Sequence, residues 1–130
     1  MVDRSLDWFK QAERDLAQAV HSDADGFYEW ACFTAQQAAE KAVKALHLKY
    51  GQEAWGHVVA RLLRELPKSI VVPSDLIEKA QVLDGFYIPP RYPNGFPEGA
   101  PFEHYSQRQS SEAITYAGEI LEFVRSYLAQ

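Results

Sequence analysis

Between Phe27 and Tyr50 the chain sets Ala31, Ala35, Ala38, Ala42 and Leu46 at steps of three and four residues, a stripe of small side chains down one face of a long helix. Small residues let a neighbouring helix approach closely. Phe33, Ala39, Val43 and Leu46 or Leu48 offer bulkier contacts around the rest of the cylinder. A helix with two packing faces belongs in the middle of a bundle, so this segment points to an all-α fold with the other elements arranged around it.

The flanking segments supply those elements. Leu6 to His21 carries Phe9, Ala12, Leu16, Ala19 and Val20 at helical spacing, and the run Ser22 to Gly26 then favours a turn. Gly51 ends the central helix. A short helix is expected over His57 to Leu66, with Val58, Leu62, Leu63 and Leu66 facing inward and Pro67 stopping it. Ile70, Val71 and Val72 are β-branched, but three residues with no partner strand cannot satisfy their own backbone groups, so no strand is expected. A fourth helix is expected from Ser74 to Leu83 behind Pro73. The last starts near Ser106, which has capping-box spacing to Gln109, and carries Ala113, Tyr116, Ala117, Ile120, Leu121, Val124 and Leu128 on one face.

At 130 residues and 47% hydrophobic positions, the chain suits one domain, residues 1–130, around one core. Its formal net charge of -5 argues against sequence-independent binding of duplex DNA, where phosphate neutralisation supplies most of the affinity. The lone Cys32 has no disulfide or metal-ligand partner and lies in an apolar helical pattern, which suits a buried thiol in a reducing cytoplasm. No stretch reads as a signal peptide or a membrane span, so a soluble, cytoplasmic protein is expected.

Gly85 to Tyr105, ahead of the last helix, holds five of the seven prolines and six aromatics: Phe86, Tyr87, Tyr92, Phe96, Phe102 and Tyr105. Prolines forbid helix and ladder alike, and a long irregular connection in a compact domain is usually functional or mobile. Its aromatic content favours packing against the bundle or a partner over disorder.

The order of these features carries a family likeness. Trp8, Phe9 and Ala12 to Leu16 in the first helix are followed by the run Phe33 to Leu46 in the second, and then by Gly56-His57 opening a leucine-rich helix. With Tyr87-Ile88-Pro89-Pro90-Arg91-Tyr92-Pro93-Asn94 before the final helix, the chain resembles the HEPN family over nearly its whole length. That resemblance implies an up-and-down helical bundle, frequently a homodimer, of a kind often paired with a minimal nucleotidyltransferase in systems resembling toxin and antitoxin. Ribonuclease members of the family carry an Arg and a His separated by four to six residues at the start of a late helix. Here the six residues after Arg91 run Tyr92 to Pro97, and the next His is His104, so the spacing is not met. Arg14 and His21 meet it only by arithmetic, inside the first helix. The inheritance is therefore carried to binding and association rather than to catalysis, and no catalytic residue is assigned.

Arg91, flanked by prolines and aromatics, is the leading candidate for contact with a phosphate or carboxylate, with Asn94 beside it. The plainer alternative is an arginine that caps carbonyls or pairs with an acid above an ordinary turn. Gln37, Glu40, Lys41 and Lys44 form a polar stripe on the second helix. It reads either as a solvated face or as a surface facing Arg91 across a dimer cleft, with a lysine attracting an anion. His104 is a weak acid or base candidate, more readily a solvent-facing side chain. His57 is expected to cap or pack at the start of the third helix, and His21 and His47 have no neighbouring ligands in sequence. No metal cluster, cofactor motif, phosphate-binding glycine loop, His-Glu-x-x-His pair or Gly-x-Ser-x-Gly elbow is present. The expectation is thus a dimeric helical module that binds a nucleotide, RNA or a nucleotidyltransferase. Its rivals are a metal-independent ribonuclease using Arg91 and His104, and a ligand-free adaptor whose aromatic loop is an interface.

Overall fold

A computed structural model describes residues 2–130. Five α-helices follow in order: α1 (Ser5–Ala24), α2 (Tyr28–Lys49), α3 (Val59–Arg64), α4 (Ser74–Asp84) and α5 (Gln107–Leu128). The described residues contain no strand, and Ile70 to Val72 are irregular.

α2 is the axis of the bundle and packs against each of the other four helices. Ala31, Ala35, Ala38, Ala39, Ala42 and Ala45 are fully buried along it, and all but Ala31 share one core with Ala12 and Ala19 of α1 and Ala113 and Ala117 of α5. Leu62, Leu63, Leu83, Ile120 and Leu121 fill the wider gaps. Two expected core positions lie outside it: Val20 on α1 and Val58 ahead of α3 are each about half exposed. Val58 has extended backbone and precedes the first turn of α3, so its side chain does not share the helical face of Leu62.

Both ends of the α1 and α2 pair are set by glycine. Gly26 (φ 82°) and Gly51 (φ 73°) take the left-handed conformation past the two helix ends. Phe27 N–H then reaches Ser22 O at 2.8 Å, and Gln52 N–H reaches His47 O at 2.9 Å, closing Schellman motifs that satisfy otherwise orphaned carbonyls. Lys49 donates to the carbonyls of Tyr127, Leu128 and Gln130, placing a cation at the negative end of α5. At the other end of α5, Ser106 and Gln109 form the expected reciprocal capping box.

α3 is only six residues long and is held by a residue of α4. Asp84 accepts from Val59 N–H at 2.6 Å and Ala60 N–H at 3.2 Å, capping α3 from across the fold. Burial pushes the Asp84 carboxyl above its ordinary value, against the lowering effect of those two donors.

The proline-rich connection is folded onto the bundle. It forms two short 3₁₀ turns, Pro93–Gly95 and Pro101–His104, and Pro90 is fully buried. Phe96 and Phe86 meet the edge or face of Tyr105 at 6.1 and 6.0 Å.

Candidate functional site

The polar face of α2 is built by spacing alone. Phe33, Gln36, Gln37, Glu40 and Lys44 recur at steps of three and four residues, so they rise along one side of the helix. That side is not a solvated face. Gln36 is fully buried and Glu40 is 6% exposed. Glu40 pairs with Lys44 Nζ at 3.0 Å, and also takes hydrogen bonds from Gln36 Nε2 at 3.2 Å and His57 Nδ1 at 2.9 Å. Gln37 extends the network by donating to Gln36 Oε1 at 2.9 Å. A buried carboxylate needs this many donors, since an uncompensated one would cost several kcal/mol (about 3 or more).

His57 enters from the loop ahead of α3. Its carbonyl accepts from Gln36 Nε2 at 3.0 Å, and its ring stacks on Tyr87 with centroids 4.1 Å apart and an 18° tilt. It therefore packs, as expected, but against α2 and the proline-rich segment, while Asp84 does the capping of α3. An ionised carboxylate only accepts, so Nδ1 carries the proton on Glu40 and Nε2 is left with no partner among the described residues.

Tyr87 connects this network to Arg91. The tight turn through Pro89 and Pro90 brings Arg91 Nε to Tyr87 O at 2.8 Å. The guanidinium carbon lies 4.4 Å from the ring centre of Phe33, 4.7 Å from Tyr87 and 5.3 Å from Tyr92. No carboxylate pairs with Arg91 among the described residues, and its terminal nitrogens make no hydrogen bond there. Carbonyl capping thus accounts for one of its five N–H donors and leaves the planar fork open.

Not every candidate joins this cluster. Lys41 points to α1 and pairs with Asp15 at 2.5 Å. Lys44 is spent on Glu40. Asn94 sits exposed in the Pro93–Gly95 turn and makes no side-chain hydrogen bond there among the described residues. His104 is exposed as expected, stacked on Phe96 at 4.1 Å with Nε2 on Glu98 O at 2.7 Å. His47 is buried and bonded at both ring nitrogens, to Gln52 at 2.9 Å and Leu62 O at 2.8 Å. Among the described residues no group of three His, Cys, Asp or Glu side chains is placed to hold a metal. No helix there is long and apolar enough to cross a membrane. A broad cleft of about 730 Å³ opens beside the loop ahead of α3, between Trp55, Arg61 and Glu65, and none of the ligand candidates lines it.

His57, Gln36, Tyr87 and Phe33 are the members that sequence reasoning did not assign. A signal existed: Phe33, Gln36, Gln37 and Glu40 share one helical face. The long-range partners of that face had no such signal.

The comparisons agree with this architecture. The crystal structure of TT1696 from Thermus thermophilus is 49% identical, with a TM-score of 0.95 over 96% of this chain and 98% of that one. ST0689, an archaeal HEPN homologue, is 44% identical, with a TM-score of 0.82 over 97% and 98%. Among curated proteins, MJ1304 of Methanocaldococcus jannaschii, named as a candidate toxin, is 27% identical over 95% of this chain and 87% of its own length. The family model for the HEPN domain matches residues 5–127. The chain is a member of the HEPN domain family.

Proposed function

We propose that the protein is a dimeric HEPN module that binds a nucleotide, or a partner nucleotidyltransferase, through Arg91 and the adjoining face of α2, as one component of a toxin and antitoxin type pair. One observation carries this reading. The guanidinium of Arg91 lies among the rings of Phe33, Tyr87 and Tyr92, and among the described residues its terminal nitrogens make no hydrogen bond and pair with no acid. Fixing a guanidinium on aromatic rings removes the ordering cost that a flexible arginine meets on binding a phosphate. The candidate toxin among its relatives supports the biological setting. Mass-resolved light scattering, followed by calorimetric titration with a panel of nucleotides and with a minimal nucleotidyltransferase, tests the proposal. A dimer whose ligand signal disappears in Arg91→Ala is expected. A monomer that binds neither, or a signal indifferent to Arg91, contradicts it.

A second reading, a metal-independent ribonuclease with a non-standard pair of Arg and His, is favoured by the geometry of His57 rather than His104. His57 is oriented by a carboxylate, keeps a free Nε2 and shares Tyr87 with Arg91. Cleavage of RNA that fails in both Arg91→Ala and His57→Asn supports it, and cleavage that survives either removes it.

A further inference from the structure

Two groups able to face an anion meet at Tyr87, one permanently charged and one that takes a charge with a proton. Arg91 lies over the Tyr87 ring at 4.7 Å, and the His57 ring stacks on it at 4.1 Å, so no more than one phenol separates them. Around His57 the other charges are accounted for. On α2, Glu40 accepts from its Nδ1, and the Glu40 charge is already matched by Lys44. From the end of α4, Asp84 spends both carboxylate oxygens on the N–H groups of Val59 and Ala60. From the proline-rich segment come Tyr87 and Arg91 themselves. Glu40 and Lys44 cancel, so with Arg91 these three carry one net positive charge when the imidazole is neutral and two when it is protonated, while the Asp84 carboxyl, set against the charge of Arg64, stands outside that sum.

Resting on the nucleotide reading above, we infer that His57 Nε2 and the Arg91 fork together form a proton-gated subsite for the phosphate group of a nucleotide. The neutral ring presents a lone pair at Nε2, because Glu40 holds the proton on Nδ1, and a lone pair repels a phosphate oxygen. The protonated ring presents an N–H donor at the same place without moving. Its position is fixed by Glu40 at Nδ1, by Gln36 at the backbone carbonyl and by the Tyr87 ring, so the switch changes the sign of one contact and not the shape of the site. Imidazole is the side chain that makes this change between about pH 5 and 8.

The test is titration of the full chain with adenosine 5′-monophosphate and with the dinucleotide adenylyl-adenosine at about pH 8 and about pH 5.5. The diester keeps a constant charge over that range, whereas a monoester itself takes up a proton near pH 6, at about its second ionisation. Diester binding is expected to tighten about tenfold at the lower pH in the wild-type protein, the size of one added charge-assisted hydrogen bond. His57→Asn, at a half-exposed position, should bind weakly at both pH values, and His57→Arg tightly at both. Tightening of the monophosphate alone would place a terminal phosphate, and not an internal one, in the subsite. Binding that depends on Arg91 yet is equal at the two pH values, or that keeps its pH dependence in His57→Asn, overturns the gate and leaves the nucleotide reading standing. Absence of Arg91-dependent binding at either pH overturns both.

Discussion

Glu40 and His57 are 17 positions apart in sequence and bonded in the fold, Oε1 to Nδ1 at 2.9 Å. The bond fastens the loop ahead of α3 to the central helix and joins the polar face of α2 to the Arg91 platform through Tyr87. Glu40 is consequently both a structural anchor and the residue that fixes which ring nitrogen of His57 faces outward.

Removing that carboxylate should be costly. Glu40→Ala leaves Lys44, 13% exposed at its side chain, without a counter-charge and takes an acceptor from Gln36 and His57. A loss of about 3 kcal/mol is expected in urea unfolding. The double variant with Lys44→Ala should lose less than the two single losses combined, because it removes the stranded charge as well. Strict additivity would show that the pair does not interact.

Gly26 and Gly51 should each resist replacement for a backbone reason alone. A Cβ at either position meets nothing within 4 Å, so the cost of Gly26→Ala or Gly51→Ala is that of the left-handed conformation, about 1 kcal/mol each. Thermal melting should show two comparable and additive losses. A neutral effect would mean that the Schellman turns relax freely.

Asp84 gives a pH signature. Its carboxyl is raised on folding, first by burial, so the protonated form is favoured and its stabilising contribution is present at acid pH and lost as pH rises through the raised value. Relative to wild type, Asp84→Asn should therefore gain ground as pH goes from about 4 to about 7 in urea unfolding. A shift the other way would show that the Val59 and Ala60 donors outweigh burial.

Cys32 should be chemically silent in the native protein. It is fully buried, and burial first, with Asp23 and Glu29 adding to it, pushes its thiol up to about 12. An aromatic disulfide reagent at neutral pH should label it only at the rate of global or local opening, and at once in denaturant. Rapid labelling of the folded protein would contradict the packing of α2 around it.

Much of the fold was legible because it depends on local periodicity. The alanine stripe placed α2 at the axis, Gly51 ended it, and Ser106 with Gln109 opened α5 as the spacing required. The site was legible only in part. Arg91 stood out because prolines and aromatics surround it in sequence, whereas His57 has no local neighbour that marks it; Glu40 and Tyr87 reach it over 17 and 30 positions. The same limit left the face of Gln37, Glu40 and Lys44 open between a solvated face and a surface turned toward Arg91: helical spacing shows which residues share a side, not what covers it. Lys41 shares that side by spacing yet is taken by Asp15 of α1, a partner no periodicity reveals.

The central claim is that the Arg91 platform is where a nucleotide phosphate binds. Heteronuclear NMR mapping of the labelled protein during titration with adenosine 5′-monophosphate tests it most directly. Saturable shifts at the Arg91 side chain, His57 and the Tyr87 segment are predicted, with the Trp55 indole and the pair of Asp15 on α1 and Lys41 on α2 left in place. Shifts centred on the Trp55 cleft, or none at Arg91 at saturating ligand, would contradict it.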